Sequence, residues 1–219
     1  MTPASFRRLA APLAGLAIVA IVAACSGAEQ YASGGAPTGA TAAPPAAGVC
    51  PTAQPEPLPA GETRTVTITT DQGDMALSIE ADLSPIAAGN FVALAECGFY
   101  DGSPFHRVAT LQDGTPFVIQ GGAQPDGPGY TIQDELVTTS YGRGVVAMAR
   151  TDQPNSVNSQ FFVVLDDGAA DVLSFYNTYQ IIGAVTSGME TADAIYAAAE
   201  RVELPTDPIV MTSVTVANP

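Results

Sequence analysis

The sequence predicts an all-β dominated fold: a closed eight-stranded antiparallel β-barrel capped by two α-helices. Three observations carry this. Short apolar stretches of strand length recur between residues 64 and 216. The connections between them are rich in glycine and turn residues, and few are long enough for a crossover helix. Only two stretches show helical spacing of apolar residues. Many short strands with two helical caps imply a sheet that curls onto itself.

The elements follow in order. Residues 64–70 alternate Val66 and Ile68 against Thr65, Thr67 and Thr69, the period of a half-buried strand. Asp71-Gln72-Gly73-Asp74 is a hairpin turn, and Met75, Leu77 and Ile79 form the return strand. Ser84-Pro85 opens a helix, with a hydroxyl at the N-cap and proline at the first helical position. Its apolar stripe is Ala87, Phe91, Leu94 and Ala95, and Gly98 stops it. Further strands are expected at 104–108, 116–120, 145–149, 160–165 and 180–185. Residues 188–200 form the second helix, with Ala192, Ile195, Tyr196 and Ala199 on one stripe. A last strand covers 209–216. The connection from 121 to 144 is long and turn-rich, and a loop of that length in a compact domain is often functional.

The ends of the chain have a different character. Arg7 and Arg8 precede an apolar run from 9 to 24 that is short for a membrane span and ends in small residues. Residues 1–24 therefore read as an export signal. Val22-Ala23-Ala24-Cys25 has the form of a bacterial lipobox, in which Cys25 is lipidated and becomes the mature N-terminus. Residues 25–60 read as a disordered tether of Ala, Gly, Pro, Ser and Thr, with seven prolines between Pro37 and Pro59. Such a chain reaches roughly 30 Å. Residues 61–219 make the folded domain. The expected location is the extracytoplasmic face of the cell membrane, held by the lipid.

The formal net charge is −15, and all seven basic residues are arginine. So acidic a surface argues against nucleic acid and against anionic lipid as direct partners. Membrane attachment then rests on acyl chains rather than on a basic patch. Export also permits a disulfide between Cys50 and Cys97; the alternative is two free thiols. The chain is expected to be a monomer.

The chemistry lies in three runs: Phe105-His106-Arg107-Val108, then Phe117-Val118-Ile119-Gln120-Gly121-Gly122, then Ser159-Gln160-Phe161-Phe162. They set one permanently charged guanidinium among apolar residues, with no paired nucleophile and base. No metal-ligand cluster, phosphate loop or zinc motif is present, and no cofactor is expected. Asp166-Asp167-Gly168 and Asp171 miss the calcium-loop spacing and read as turn chemistry. Such a set suits a reaction that needs electrostatic and shape stabilisation without covalent chemistry. Rotation about an X-Pro bond is one, with a barrier of about 18–20 kcal/mol from amide resonance.

In the order of these motifs, residues 62–217 resemble the cyclophilin family of peptidyl-prolyl cis/trans isomerases. The resemblance implies Arg107 as the catalytic arginine, favouring the twisted amide. It implies a proline pocket of Phe117, Val118 and Phe162, with Gln120, Gln160 and Ala149 along the substrate backbone. Proline-containing polypeptides are the implied partners. Three departures stand out. The 109–116 segment is longer than the family's usual turn. Tryptophan is absent, and the position that often holds it falls near Leu173 to Phe175, so Leu173 is the expected wall. Tyr179 stands where the family often has histidine. His106, the only histidine, precedes Arg107 on the same strand and is read as structural, facing the other way. The implied activity is isomerisation in exported proteins; a catalytically weak module or chaperone that holds proline segments is the alternative.

Overall fold

The computed structural model describes residues 48–217. The proposed signal, the lipobox with Cys25 and most of the tether lie outside the described residues. Eight strands form one antiparallel sheet: β1 (Thr63–Thr70), β2 (Gly73–Glu80), β3 (Arg107–Thr110), β4 (Pro116–Gly121), β5 (Val145–Met148), β6 (Phe161–Val164), β7 (Ile181–Ser187) and β8 (Ser213–Val216). Three helices accompany them: α1 (Pro85–Glu96), α2 (Ala170–Tyr176) and α3 (Met189–Ala198). The all-β dominated fold and the eight strands are as expected. Among the described residues there are three α-helices and not two, because α2 occupies a stretch the sequence left irregular.

The strand order is β3-β4-β6-β5-β7-β2-β1-β8. The sheet is thus a curled half-barrel rather than the closed barrel expected, since its end strands β3 and β8 do not pair. The segments leading into them meet instead. Phe105 N–H donates to Ile209 O at 2.9 Å, Gly102 N–H to Met211 O at 2.8 Å, and Met211 N–H to Ser103 O at 2.9 Å. That exchange takes residues 104–106 out of the regular ladder, so β3 begins at Arg107 instead of at 104.

The alternation of side chains across strands separates two clusters. Val108, Ile119, Val163 and Val146 are register partners across β3, β4, β6 and β5. They face the main core, with Phe91, Tyr100, Phe105 and Phe161. Those rings pack edge to face, with Phe91 and Phe161 centroids 5.1 Å apart. One residue along each strand, the side chains point to the opposite face. There Val118, Phe162, Val164 and Ala147 form a second cluster with Leu173 and Tyr141. The candidate site is built on this second face.

Where β2 meets β7 the backbones come unusually close. A Cβ added at Gly183 would lie 1.8 Å from Ser78 O, so only glycine fits there.

Helix α1 is capped differently from the expectation. The Ser84 hydroxyl makes no cap hydrogen bond and is buried without a partner among the described residues. Glu135 takes its place: its carboxylate accepts from Ile86 N–H and Ala87 N–H, both at 2.9 Å. A negative group at a helix N-terminus also opposes the helix dipole. Residues 87 to 95 of α1 are all buried, with no exposed stripe.

The cover on one side of α1 corrects the expected domain boundary. Residues 50–60, read as tether, pack on the helix. Cys50 is disulfide-bonded to Cys97, just past α1. Leu58 is buried and its N–H donates to Pro85 O at 2.9 Å. A Cβ at Gly89 would come within 2.4 Å of Glu56 O, so the helix leaves a glycine gap where this strap crosses. Proline-rich composition marks a chain that cannot build a core of its own. It does not prevent that chain from lying along a core built by others.

Candidate functional site

Arg107 and Gln120 are register partners on β3 and β4, and Gln120 is in turn the partner of Phe162 on β6. The three side chains therefore stand in a row on one face. Arg107 Nη1 donates to Gln120 Oε1 at 3.3 Å, and Gln120 Nε2 donates to Gln160 Oε1 at 2.9 Å. Arginine has only donors, so it presents the Gln120 amide oxygen with its natural partner and turns the amide NH₂ toward Gln160. A chain of two carboxamides thus holds the guanidinium from one side. On the other side Arg107 Nε donates to Glu203 Oε1 at 2.8 Å. Glu135 is not part of this row; its carboxylate is engaged at the N-terminus of α1.

Beside this row opens a cavity of about 510 Å³. Arg107, Phe117, Val118, Gln120, Ala149, Phe162, Leu173 and Tyr179 all line it. Of the residues expected at the site, only Gln160 stands off the wall, acting through Gln120. Phe162 forms the floor, and Tyr179 meets it edge to face with centroids 5.4 Å apart. Leu173 on α2 is buried beneath, while Phe175 points away and is 83% exposed. Its walls are mostly apolar, with the Arg107 and Arg150 guanidiniums among the lining groups.

Three lining residues were not foreseen: Arg150, Val172 and Tyr176. Arg150 is committed elsewhere, to Asp134 at 3.1 Å and to Gln153 O at 2.8 Å. Val172 and Tyr176 sit one helical turn apart on α2, an i, i+4 pair that the sequence carries on either side of Leu173.

Tyr179 is held by a residue that sequence reasoning passed over. The Tyr141 hydroxyl donates to Tyr179 O at 2.9 Å and accepts from Tyr179 N–H at 3.2 Å. Burial pushes the Tyr141 phenol up to about 12, so it stays a donor across the neutral range. Burial, with Tyr176 adding and Arg107 opposing, also raises Tyr179, whose hydroxyl remains neutral. Tyr141→Phe would leave both backbone groups of Tyr179 unpaired. The expected cost is about 1–3 kcal/mol in urea unfolding, together with reduced kcat/KM. Next along the chain, Gln180 is fully buried, and its Nε2 donates to Gln133 O at 3.0 Å, tying the long 121–144 loop to the site.

His106 directly precedes β3, outside the regular ladder. Its Nδ1 is buried without a hydrogen-bond partner among the described residues. Burial lowers its pKa from the ordinary value, and Arg107 adds to this; the Pro104 carbonyl and the Gln160 side chain, short of hydrogen-bond geometry at Nδ1, oppose it. Between the unfolded value of about 6.5 and the lower folded value, the unfolded chain binds more protons. This contribution to stability is therefore complete above about pH 6.5 and is lost as pH falls. Melting temperature should decline from pH 7 to 5.5, and His106→Asn should flatten that slope. An equal slope in the variant would place the titrating group elsewhere.

The acidic turn before α2 is also accounted for. Asp166 accepts from Gly168 N–H at 2.8 Å, and Asp167 from Arg143 N–H at 2.7 Å.

An apolar slot that fits a small ring, rimmed by a held guanidinium and lacking a nucleophile–base pair on its walls, defines a site for conformational rather than covalent catalysis. Comparison with known proteins gives the class its family. Residues 65–216 match the family model for cyclophilin type peptidyl-prolyl cis-trans isomerase/CLD. A probable peptidyl-prolyl cis-trans isomerase of Brucella abortus is 36% identical over 148 residues, covering 60% of this chain and 70% of the relative. Peptidyl-prolyl cis-trans isomerase B of Escherichia coli is 30% identical over 170 residues, covering 70% of this chain and 99% of the relative. A cyclophilin type isomerase of Cryptosporidium parvum superposes with a TM-score of 0.60 at 26% identity, over 72% of this chain and all of that one. The chain belongs to the cyclophilin family of peptidyl-prolyl cis/trans isomerases, and it is an enzyme of that class.

Proposed function

We propose that this isomerase turns X-Pro bonds in exported polypeptides through Arg107. The row Arg107–Gln120–Phe162 beside the apolar slot carries the reading. Twisting the amide breaks its resonance and leaves a lone pair on the proline nitrogen. Donors fixed near that nitrogen, or near the proline carbonyl, bind the twisted form better than either planar form. Arg107 supplies a planar, permanently charged fork for this purpose. Phe117, Val118, Phe162 and Leu173 hold the ring, so the chain on one side turns while the proline stays put. A solved structure of the Cryptosporidium parvum relative was determined in the presence of the dipeptide Ala-Pro, which supports a slot of this kind as an X-Pro site.

The exported context rests on Arg7-Arg8, the apolar run to residue 24 and Val22-Ala23-Ala24-Cys25. In this reading Cys25 carries the lipid, and a monomeric domain works at the outer face of the cell membrane. The Cys50–Cys97 disulfide fits an oxidising compartment. Cys25→Ser should shift the protein out of the membrane fraction or leave the signal uncleaved. A variant still membrane-bound and lipid-bearing by intact mass would end the lipid-anchor reading.

A second reading, a holder of proline segments with little turnover, draws on Phe175 and Tyr176. Tyr176 lines the groove and is 57% exposed, and its neighbour Phe175, outside the lining, is 83% exposed; together they offer sticky aromatic surface. An exchange assay on an Xaa-Pro peptide separates the two: turnover supports catalysis, and saturable binding without turnover supports the holder.

A further inference from the structure

A second cavity of about 530 Å³ adjoins the proline slot and shares Arg107, Phe117 and Val172 with it. Its other walls come from the long 109–116 segment and from Glu203. We infer that this cavity is a subsite for a long basic side chain, lysine or arginine, flanking the X-Pro bond of the substrate. The inference rests on the groove acting as proposed above.

The walls have two characters. Leu111, Phe117 and Val172 give an apolar surface suited to a methylene stem. Asp113 and Glu203 give two carboxylates for a cationic head. Lysine and arginine bury their stems on apolar surface while the charged end stays near water and acceptors.

The Asp113 carboxylate is held by a backbone N–H, and the backbone of Glu203 is tied to β3. Asp113 sits in a closed turn: Leu111 N–H donates to Thr115 O and Gly114 N–H to Leu111 O, both at 2.9 Å, while Asp113 Oδ1 accepts from Thr115 N–H at 2.9 Å. Glu203 is anchored through its own carbonyl, which accepts from Val108 N–H at 2.9 Å. Its Oε1 takes Arg107 Nε, and Oε2 has no partner among the described residues. The lining holds one positive and two negative groups, so its net charge is −1 even with Arg107 present. An acidic substrate residue would meet that repulsion, and a neutral one would leave the carboxylates unused.

The test measures kcat/KM by exchange NMR on three peptides that differ at one residue: lysine, norleucine or glutamate. Norleucine matches the stem of lysine without its charge. The series is run with the variable residue just before, and then just after, the X-Pro pair. At one of the two positions lysine should exceed norleucine by about 2- to 5-fold, the range of an exposed ion pair. Glu203→Gln should bring that ratio toward one, and Asp113→Asn should reduce it in part. Glu190→Gln, a charge change on α3 away from both cavities, should leave it intact. Salt at 1 M, where the Debye length is about 3 Å, should compress the ratio.

Equal rates for lysine and norleucine at both positions, with turnover intact, would overturn the subsite. So would a ratio unchanged in Glu203→Gln, whatever that variant does to overall rate. Absence of turnover on all three peptides would instead overturn the isomerase mechanism on which the subsite rests.

Discussion

Replacing Arg107 with alanine should lower kcat/KM by about 10²–10³-fold while the domain stays folded. The size follows from losing charged donors that act on the twisted amide and hardly at all on the planar one. Fold stability should change little. The guanidinium side chain is one-third exposed at 33%, and its partner Glu203 is at 62%, so their pairing contributes little to folding. Removing the arginine leaves the Gln120 oxygen open to water rather than buried. Arg107→Lys makes the argument sharper. It keeps the charge but lacks the fork that reaches Gln120 and Glu203 at once, so it should recover only part of the loss. Circular dichroism and urea unfolding establish the folded state of each variant, and exchange NMR reads the rate. A folded Arg107→Ala enzyme with undiminished kcat/KM would remove this residue from the mechanism.

Breaking the Cys50–Cys97 bond should be the largest single loss of stability outside the core. A cross-link spanning 47 residues restricts the unfolded chain strongly. Disulfides of this kind typically contribute about 2–4 kcal/mol. For a domain of this size that corresponds to roughly 5–15 °C in melting temperature. Cys50→Ser, Cys97→Ser and the doubly substituted chain should lose similar amounts, and reductant should bring the natural protein down to their level. Activity at room temperature should persist in all of them, because the strap lies on α1 and not in the groove. Identical melting with and without reductant would mean that the bond does not form in solution.

The strands were legible because their information is local. Period-two alternation at Val66, Ile68, Met75, Leu77 and Ile79 needs no knowledge of partners. Most of the site was legible for another reason: its residues lie in three short runs whose order resembles one family. What escaped depends on distant pairing. Glu203 reaches Arg107 across 96 positions of sequence, and no local pattern marks it. Tyr141 acts on Tyr179 through backbone atoms, which any residue carries. Ser84 looked like a cap because its type favours that role, yet a carboxylate 49 residues from Ile86 took the helix N-terminus. The 170–176 helix was missed for lack of length, since a seven-residue helix shows barely two turns of periodicity. The strap was misassigned because composition describes what a segment can do alone. Leu58 and Cys50 fold it onto a surface supplied by α1.

The same strap decides how the molecule bears a mechanical load. A pull arriving from the N-terminal side of Cys50 passes through the sulfur bridge to Cys97 and skips everything between. β1, β2 and α1 all lie inside that bypass. While the bridge is intact they cannot be drawn out in line. At about 3.3–3.6 Å per residue, the 47-residue interval keeps roughly 160 Å of chain from paying out. Tension enters the fold at the end of a helix buried along its length, not at a strand that could be peeled from the sheet. A pull from that side would therefore bypass the half of the sheet that pairs β1 with β2. Reduction of one bond would turn that rigid mount into an extensible one.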